Sequence, residues 1–162
     1  MKILLKNATL IHQKCPFHNQ KKDVLVVDGI LTLIEDQIST KDAIIIEHQD
    51  LHLSSGWFDP CISFGEPGYE ERETLANGLL TAAKSGFTQI VLNPDTHPAL
   101  DSYTDVSHLL QQTLHQTTAL HISASLSEGS QGENLAPLFE MHKAGAVAFG
   151  DFNKTLKNPN LL

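Results

Sequence analysis

A thiol, a hydroxyl and two carboxylates stand where they could carry chemistry. Cys61 and Ser63 flank Ile62 at the end of a short apolar run, Asp95 follows Pro94, and Asp151 follows Gly150. A thiolate is a nucleophile and a zinc ligand. A lone cysteine inside an apolar strand is more simply read as a small buried hydrophobe. Asp151 is read either as a metal ligand or as the cap of a loop. Asp95 is a candidate acid or base, but an aspartate after a proline is ordinary turn chemistry. The loop from Gly65 to Tyr69 is either a lid over a substrate or a turn shaped by Gly and Pro. The nine histidines contain no His-x-His pair, and His108 and His115, seven apart, are read as surface residues.

The elements that must position these groups follow from periodicity. Val24 to Val27 and Ile30 to Ile34 are β-prone runs joined by Asp28-Gly29, the dipeptide suited to a type I′ hairpin turn. Further runs at Ala43 to Glu47 and Leu51 to Leu53 complete a small β domain over residues 1–55. From Gly56 the pattern alternates. Strands are expected at 57–64, 87–92, 119–126 and 146–150, and helices at 70–85, after the Ser102-x-x-Asp105 capping pattern, and at 134–144. The first helix should bury Leu75, Leu79, Ala82 and Ala83 with Glu70, Glu71 and Glu73 in its first turn. The second should bury Val106, Leu109, Leu110 and Leu114, and the third Leu135, Leu138 and Phe139. A step of roughly 30 residues per unit matches a (β/α)₈ barrel of about 250 residues. Residues 56–162 then make the first half of such a barrel, an α/β architecture with two free sheet edges. That predicts a fragment, an open sheet or a homo-oligomer.

Composition narrows the classes. With 11 basic and 19 acidic residues the formal net charge is −8, which argues against nucleic-acid or anionic-membrane surfaces. The first ten residues hold too short an apolar run for a signal-peptide core, and no segment has the length of a membrane span. Two cysteines without a Cys-x-x-Cys spacing point to a reducing cytoplasm.

The segment Gly56-Trp57-Phe58-Asp59-Pro60-Cys61-Ile62-Ser63-Phe64-Gly65-Glu66-Pro67-Gly68 resembles Gly-x-Ile-Asp-Pro-His-x-His-x-Arg-Glu-Pro-Gly, the signature of dihydroorotases and related cyclic amidohydrolases. Ala82 to Thr88 resembles Ala-Ala-x-Gly-Gly-Phe-Thr. Asn93 to Pro98 resembles Met-Pro-Asn-Thr-x-Pro, and Lys143 to Asp151 resembles a stretch ending Ala-Gly-Ala-Val-Ala-Phe-Ser-Asp. All four occur in family order. The resemblance implies a small β-sandwich beside a zinc-dependent barrel of pyrimidine biosynthesis, with family chains running well beyond residue 162. It also implies losses. The two zinc-binding histidines fall on Cys61 and Ser63, and serine is not among the usual zinc ligands. The arginine that clamps the substrate carboxylate falls on Gly65, and the substrate-binding asparagine falls on Asp95. Asp151 alone keeps a ligand's chemistry, as a vestigial metal position.

Zinc lowers the pKa of bound water from 15.7 to about 7, worth roughly 12 kcal/mol of nucleophile availability as an upper bound. No other group in the chain supplies that, so no residue is read as catalytic and no cofactor is expected. The function implied is a non-catalytic, structural dihydroorotase-like subunit, similar to those family members that partner aspartate transcarbamoylase. The alternative is an active hydrolase interconverting dihydroorotate and N-carbamoyl-aspartate on a reduced metal site.

Overall fold

The computed structural model describes residues 1–161 and is a mixed α/β protein of two compact units, Met1–Ser55 and Gly56 onward. The first unit is a mixed five-stranded sheet. Strands β1 (Lys2–Ile11), β2 (Lys21–Val27) and β3 (Ile30–Glu35) pair antiparallel, and β4 (Ile44–Glu47) and β5 (His52–Ser54) add parallel to β1. As the Asp28-Gly29 dipeptide predicts, both turn residues have positive φ, 49° and 80°, joining β2 to β3. Leu4, Leu25 and Ile38 form the buried cluster of this unit. The charged Asp23 is buried beside it and accepts the backbone N–H groups of Asn7 and Ile38, each at 3.0 Å.

The second unit alternates strand and helix: β6 (Trp57–Ile62), α1 (Leu75–Lys84), β7 (Phe87–Leu92), α2 (Tyr103–Thr113), β8 (Ala119–Ala124), α3 (Leu138–Ala144) and β9 (Ala146–Phe149). The four strands run parallel in the order β6-β7-β8-β9. Ile90, Leu92, Leu120, Ile122 and Ala124 pack with Leu75, Leu79, Val106, Leu109 and Met141 of the helices, so one face of the sheet carries the core. No helix among the described residues is long and apolar enough to cross a membrane.

The helices depart from the expected limits for local reasons. Helix α1 starts only at Leu75, capped by Thr74, because the Glu66 carboxylate takes the Leu75 N–H at 2.7 Å and the chain before Thr74 is loop; Glu70, Glu71 and Glu73 therefore precede the helix. Helix α2 begins at the expected cap. Ser102 Oγ accepts the Asp105 N–H at 3.3 Å and donates to the Asp105 carboxylate at 2.6 Å. Leu114 is its C-terminal cap and is 70% exposed rather than inward. Helix α3 is shortened to Leu138–Ala144 because Pro137 cannot continue a helix from its N-terminal side and biases Ala136 toward extended backbone. Leu135 and Phe139, read as inward, are 48% and 64% exposed, and Ala136 and Met141 fill the core instead. Ser102→Ala is expected to lower stability by about 1 kcal/mol, the usual worth of a helix cap, in urea unfolding followed by circular dichroism.

Candidate functional site

In a parallel sheet all strand C-termini lie on one rim, and the residues singled out above lie at or just beyond those termini: Cys61 near the end of β6 and Ser63 directly after it, Asp95 after β7, Asp151 after β9. The rim holds two separate hydrogen-bonded groups.

The first joins β6 to β7. Asn93, buried at the end of β7, donates through its amide to Ser63 Oγ at 3.1 Å and to Cys61 Sγ at 3.4 Å, while the thiol lies 3.5 Å from its carbonyl oxygen. Cys61 is exposed, contrary to its reading as a buried hydrophobe. The cause is topological: β6 is an edge strand, and the helices cover only the other face of the sheet. Residue type alone does not single out Asn93 as a site residue, because a polar residue just after a strand reads as the start of a turn.

The second group lies between β8 and β9. Asp151 is 6% exposed and accepts the N–H groups of Leu126 and Ser127, each at 3.0 Å, on one carboxylate oxygen, and the Ser127 hydroxyl on the other. Ser127 Oγ in turn accepts the Gly132 N–H at 2.7 Å, and Asp101 accepts the Gly129 N–H at 2.6 Å. Two carboxylates thus hold the segment between β8 and α3. Asp151 does what a loop cap does.

The loop after β6 is built around glycine. Gly65 has φ +123°, and a Cβ there would lie 2.5 Å from the Tyr69 carbonyl oxygen, so no larger side chain fits this conformation. Tyr69 donates its N–H back to Gly65 at 2.9 Å, and Arg72, the sole arginine of the chain, stacks 4.2 Å above the Tyr69 ring. The Gly68 N–H, donated at 2.8 Å, holds the Glu70 carboxyl below its ordinary pKa. At Gly68 a Cβ would stand 1.9 Å from the His97 carbonyl oxygen, and the His97 N–H donates to Pro67 at 2.9 Å, so this loop rests directly on the loop after β7. Gly68→Ala should therefore push the two loops apart and lower the urea midpoint by the equivalent of roughly 2 kcal/mol. In that second loop Asp95 is half-buried, with one carboxylate oxygen that meets no hydrogen-bond donor among the described residues.

Among the described residues no three His, Cys, Asp or Glu side chains come together as a metal-binding group. His48 and His52, a spacing of four, are both exposed in the first unit. His108 and His115 are exposed as expected, though only His108 lies on α2.

A family model described as dihydro-orotase-like matches residues 53–159. The dihydroorotase of Pelotomaculum thermopropionicum is 31% identical over 162 residues, covering 100% of this chain and 38% of the relative. That of Ruminiclostridium cellulolyticum is 32% identical over 164 residues with the same shares, so the chain spans 38% of these relatives' length. Among solved structures, an L-hydantoinase (dihydropyrimidinase) from Arthrobacter aurescens superposes with a TM-score of 0.72 at 20% identity, over 91% of this chain and 32% of that one. A dihydroorotase does so at 0.63 and 12% identity, over 91% and 41%. At these identities the structural likeness speaks for fold.

Proposed function

The chain belongs to the dihydro-orotase-like family, and from that premise we propose that it is a non-catalytic member whose second unit is a partial (β/α) barrel and whose role is structural. The observation that carries this reading is the condition of the groups at the expected metal positions. Asp151 spends both carboxylate oxygens on Leu126 and Ser127, and Cys61 and Ser63 are joined to each other through Asn93. A zinc ion needs about four donors converging at roughly 2.0–2.3 Å. The donors present do not fit it. Gly65 adds to this. Its backbone conformation excludes the arginine that would hold a substrate carboxylate.

The test is a dihydroorotate turnover assay with added zinc, combined with metal analysis, on four forms: the chain itself, Cys61→His/Ser63→His, that pair with Asp95→Asn, and the three with Gly65→Arg. None is expected to turn over or to hold stoichiometric zinc. Zinc-dependent turnover by the unmodified chain would overturn the proposal. The structural half of the proposal names aspartate transcarbamoylase as partner in pyrimidine biosynthesis. It predicts a joint boundary when the two are sedimented together, and independent sedimentation would remove that half.

A further inference from the structure

A cavity of about 220 Å³ lies between α1 and α2, walled by the loops after β6 and β7, the start of α1 and one side of α2. Every wall comes from residues 66–112, within two successive strand-helix units. The floor is apolar: Leu75, Leu100 and Leu109 are buried there, with Pro67 and Pro98 beside them. The rim is acidic. Glu66 accepts the Leu75 N–H at 2.7 Å, Glu70 accepts the Gly68 N–H at 2.8 Å, and Asp105 accepts the Ser102 hydroxyl at 2.6 Å. None of these donors is charged, and among the described residues none of the three carboxylates forms an ion pair. His108, also on the wall, turns a ring nitrogen to the Gln112 amide at 3.0 Å. Residues 66–112 hold seven acidic side chains against two basic ones, and neither base lines the cavity: Arg72 lies over Tyr69, and Lys84 ends α1.

We infer that this cavity anchors a partner protein, and that one lysine or arginine side chain of a basic segment fills it. Three features select this occupant. First, the lining matches such a side chain in two parts. Long cationic side chains lay their methylene stems along apolar surface and keep the charged head among polar groups; here the stem lies on Leu75, Leu100 and Leu109, and the head meets Glu66, Glu70 and Asp105. Second, the charge is complementary. A chain of net charge −8 draws a basic segment and repels an acidic one, a second copy of itself included. Third, the cavity is small. Sites for free ligands usually run to about 300–1,000 Å³, whereas this one takes a single side chain, and the segment that carries it supplies the contacts around the mouth that a free amine lacks. The inference stands whether or not the strand rim reacts, since it uses none of Cys61, Ser63, Asp95 and Asp151.

The test is an amide chemical-shift titration of the isotope-labelled 162-residue chain with three probes. They are an end-capped hexalysine peptide, the same peptide acetylated on every side chain, and n-butylammonium chloride. Hexalysine is expected to shift the amides of residues 68–75 and 99–112 saturably, and neither of the other probes should do so at the same concentration. Glu66→Gln/Asp105→Asn keeps the hydrogen-bond acceptors and removes two charges; it should weaken hexalysine about tenfold. Asp42→Asn/Asp50→Asn, which removes the same charge from exposed positions of the first unit, should leave the affinity within about twofold. If the first double variant does not fold by circular dichroism, the shift map of the unmodified chain decides. No saturable shift, shifts spread over the acidic surface at large, or equal weakening by both double variants would each overturn the proposal. So would n-butylammonium binding as tightly as hexalysine, which would make the cavity a site for a free amine.

Discussion

Asp151→Ala is expected to lower the stability of the second unit by roughly 3–5 kcal/mol. The carboxylate is buried and receives two backbone N–H groups and one hydroxyl, and its removal leaves all three donors without an acceptor. Each buried donor left unpaired costs about 1–3 kcal/mol, and bonds to a charged acceptor are at the strong end. Ser127 Oγ also accepts from Gly132, so the loss spreads into the β8–α3 segment. Asp151→Asn should cost less, because it keeps one acceptor oxygen. Ser127→Ala combined with Asp151→Ala should cost clearly less than the two singly measured losses together, the sign of a shared network. Urea unfolding checks all of these. A loss below about 0.5 kcal/mol for Asp151→Ala, in the range of ordinary surface changes, would mean that the carboxylate is not the structural cap described here. Added zinc should leave the unfolding midpoint of the unmodified chain where it is.

The second large effect is expected in the core. Ile122 is fully buried between the helices and the sheet, and Ile122→Ala should cost about 2–5 kcal/mol through lost burial and the cavity left behind. Phe139→Ala, by contrast, should fall within about 0.5 kcal/mol, since the ring is 64% exposed with the Lys143 ammonium 4.3 Å from its centroid. The pair tests whether Phe139, which periodicity places inward on α3, behaves like the core residue Ile122 of β8. Equal losses at both positions would contradict the structure.

The strand-helix alternation from Trp57 was legible because each buried strand is a short apolar run and each of the first two helices repeats its apolar residues every three or four positions. What failed was local. Over 134–144 the apolar spacing reads as helix through Pro137, and only the missing N–H of that proline moves the start to Leu138. Strand β1, the centre of the first sheet, shows in the sequence only as the short apolar run Ile3 to Leu5. Its alternation is broken by a register shift between Leu5 and Ala8, where Asn7 takes φ 51°. At the rim, residue types identified Cys61, Ser63, Gly65, Asp95 and Asp151 as positions of interest. They could not say that Asp151 faces Ser127 or that Asn93 lies between Cys61 and Ser63, because those pairings join residues 24 to 32 apart.

Asn93 also bears on how positions 61 and 63 can vary. Its buried amide finds its partners in Cys61 and Ser63. A substitution at either partner gives up a bond to a buried amide, at about 1–3 kcal/mol if no new partner forms. Positions 61, 63 and 93 are thus energetically coupled, and the residue held at one constrains which residues the other two can hold at no cost.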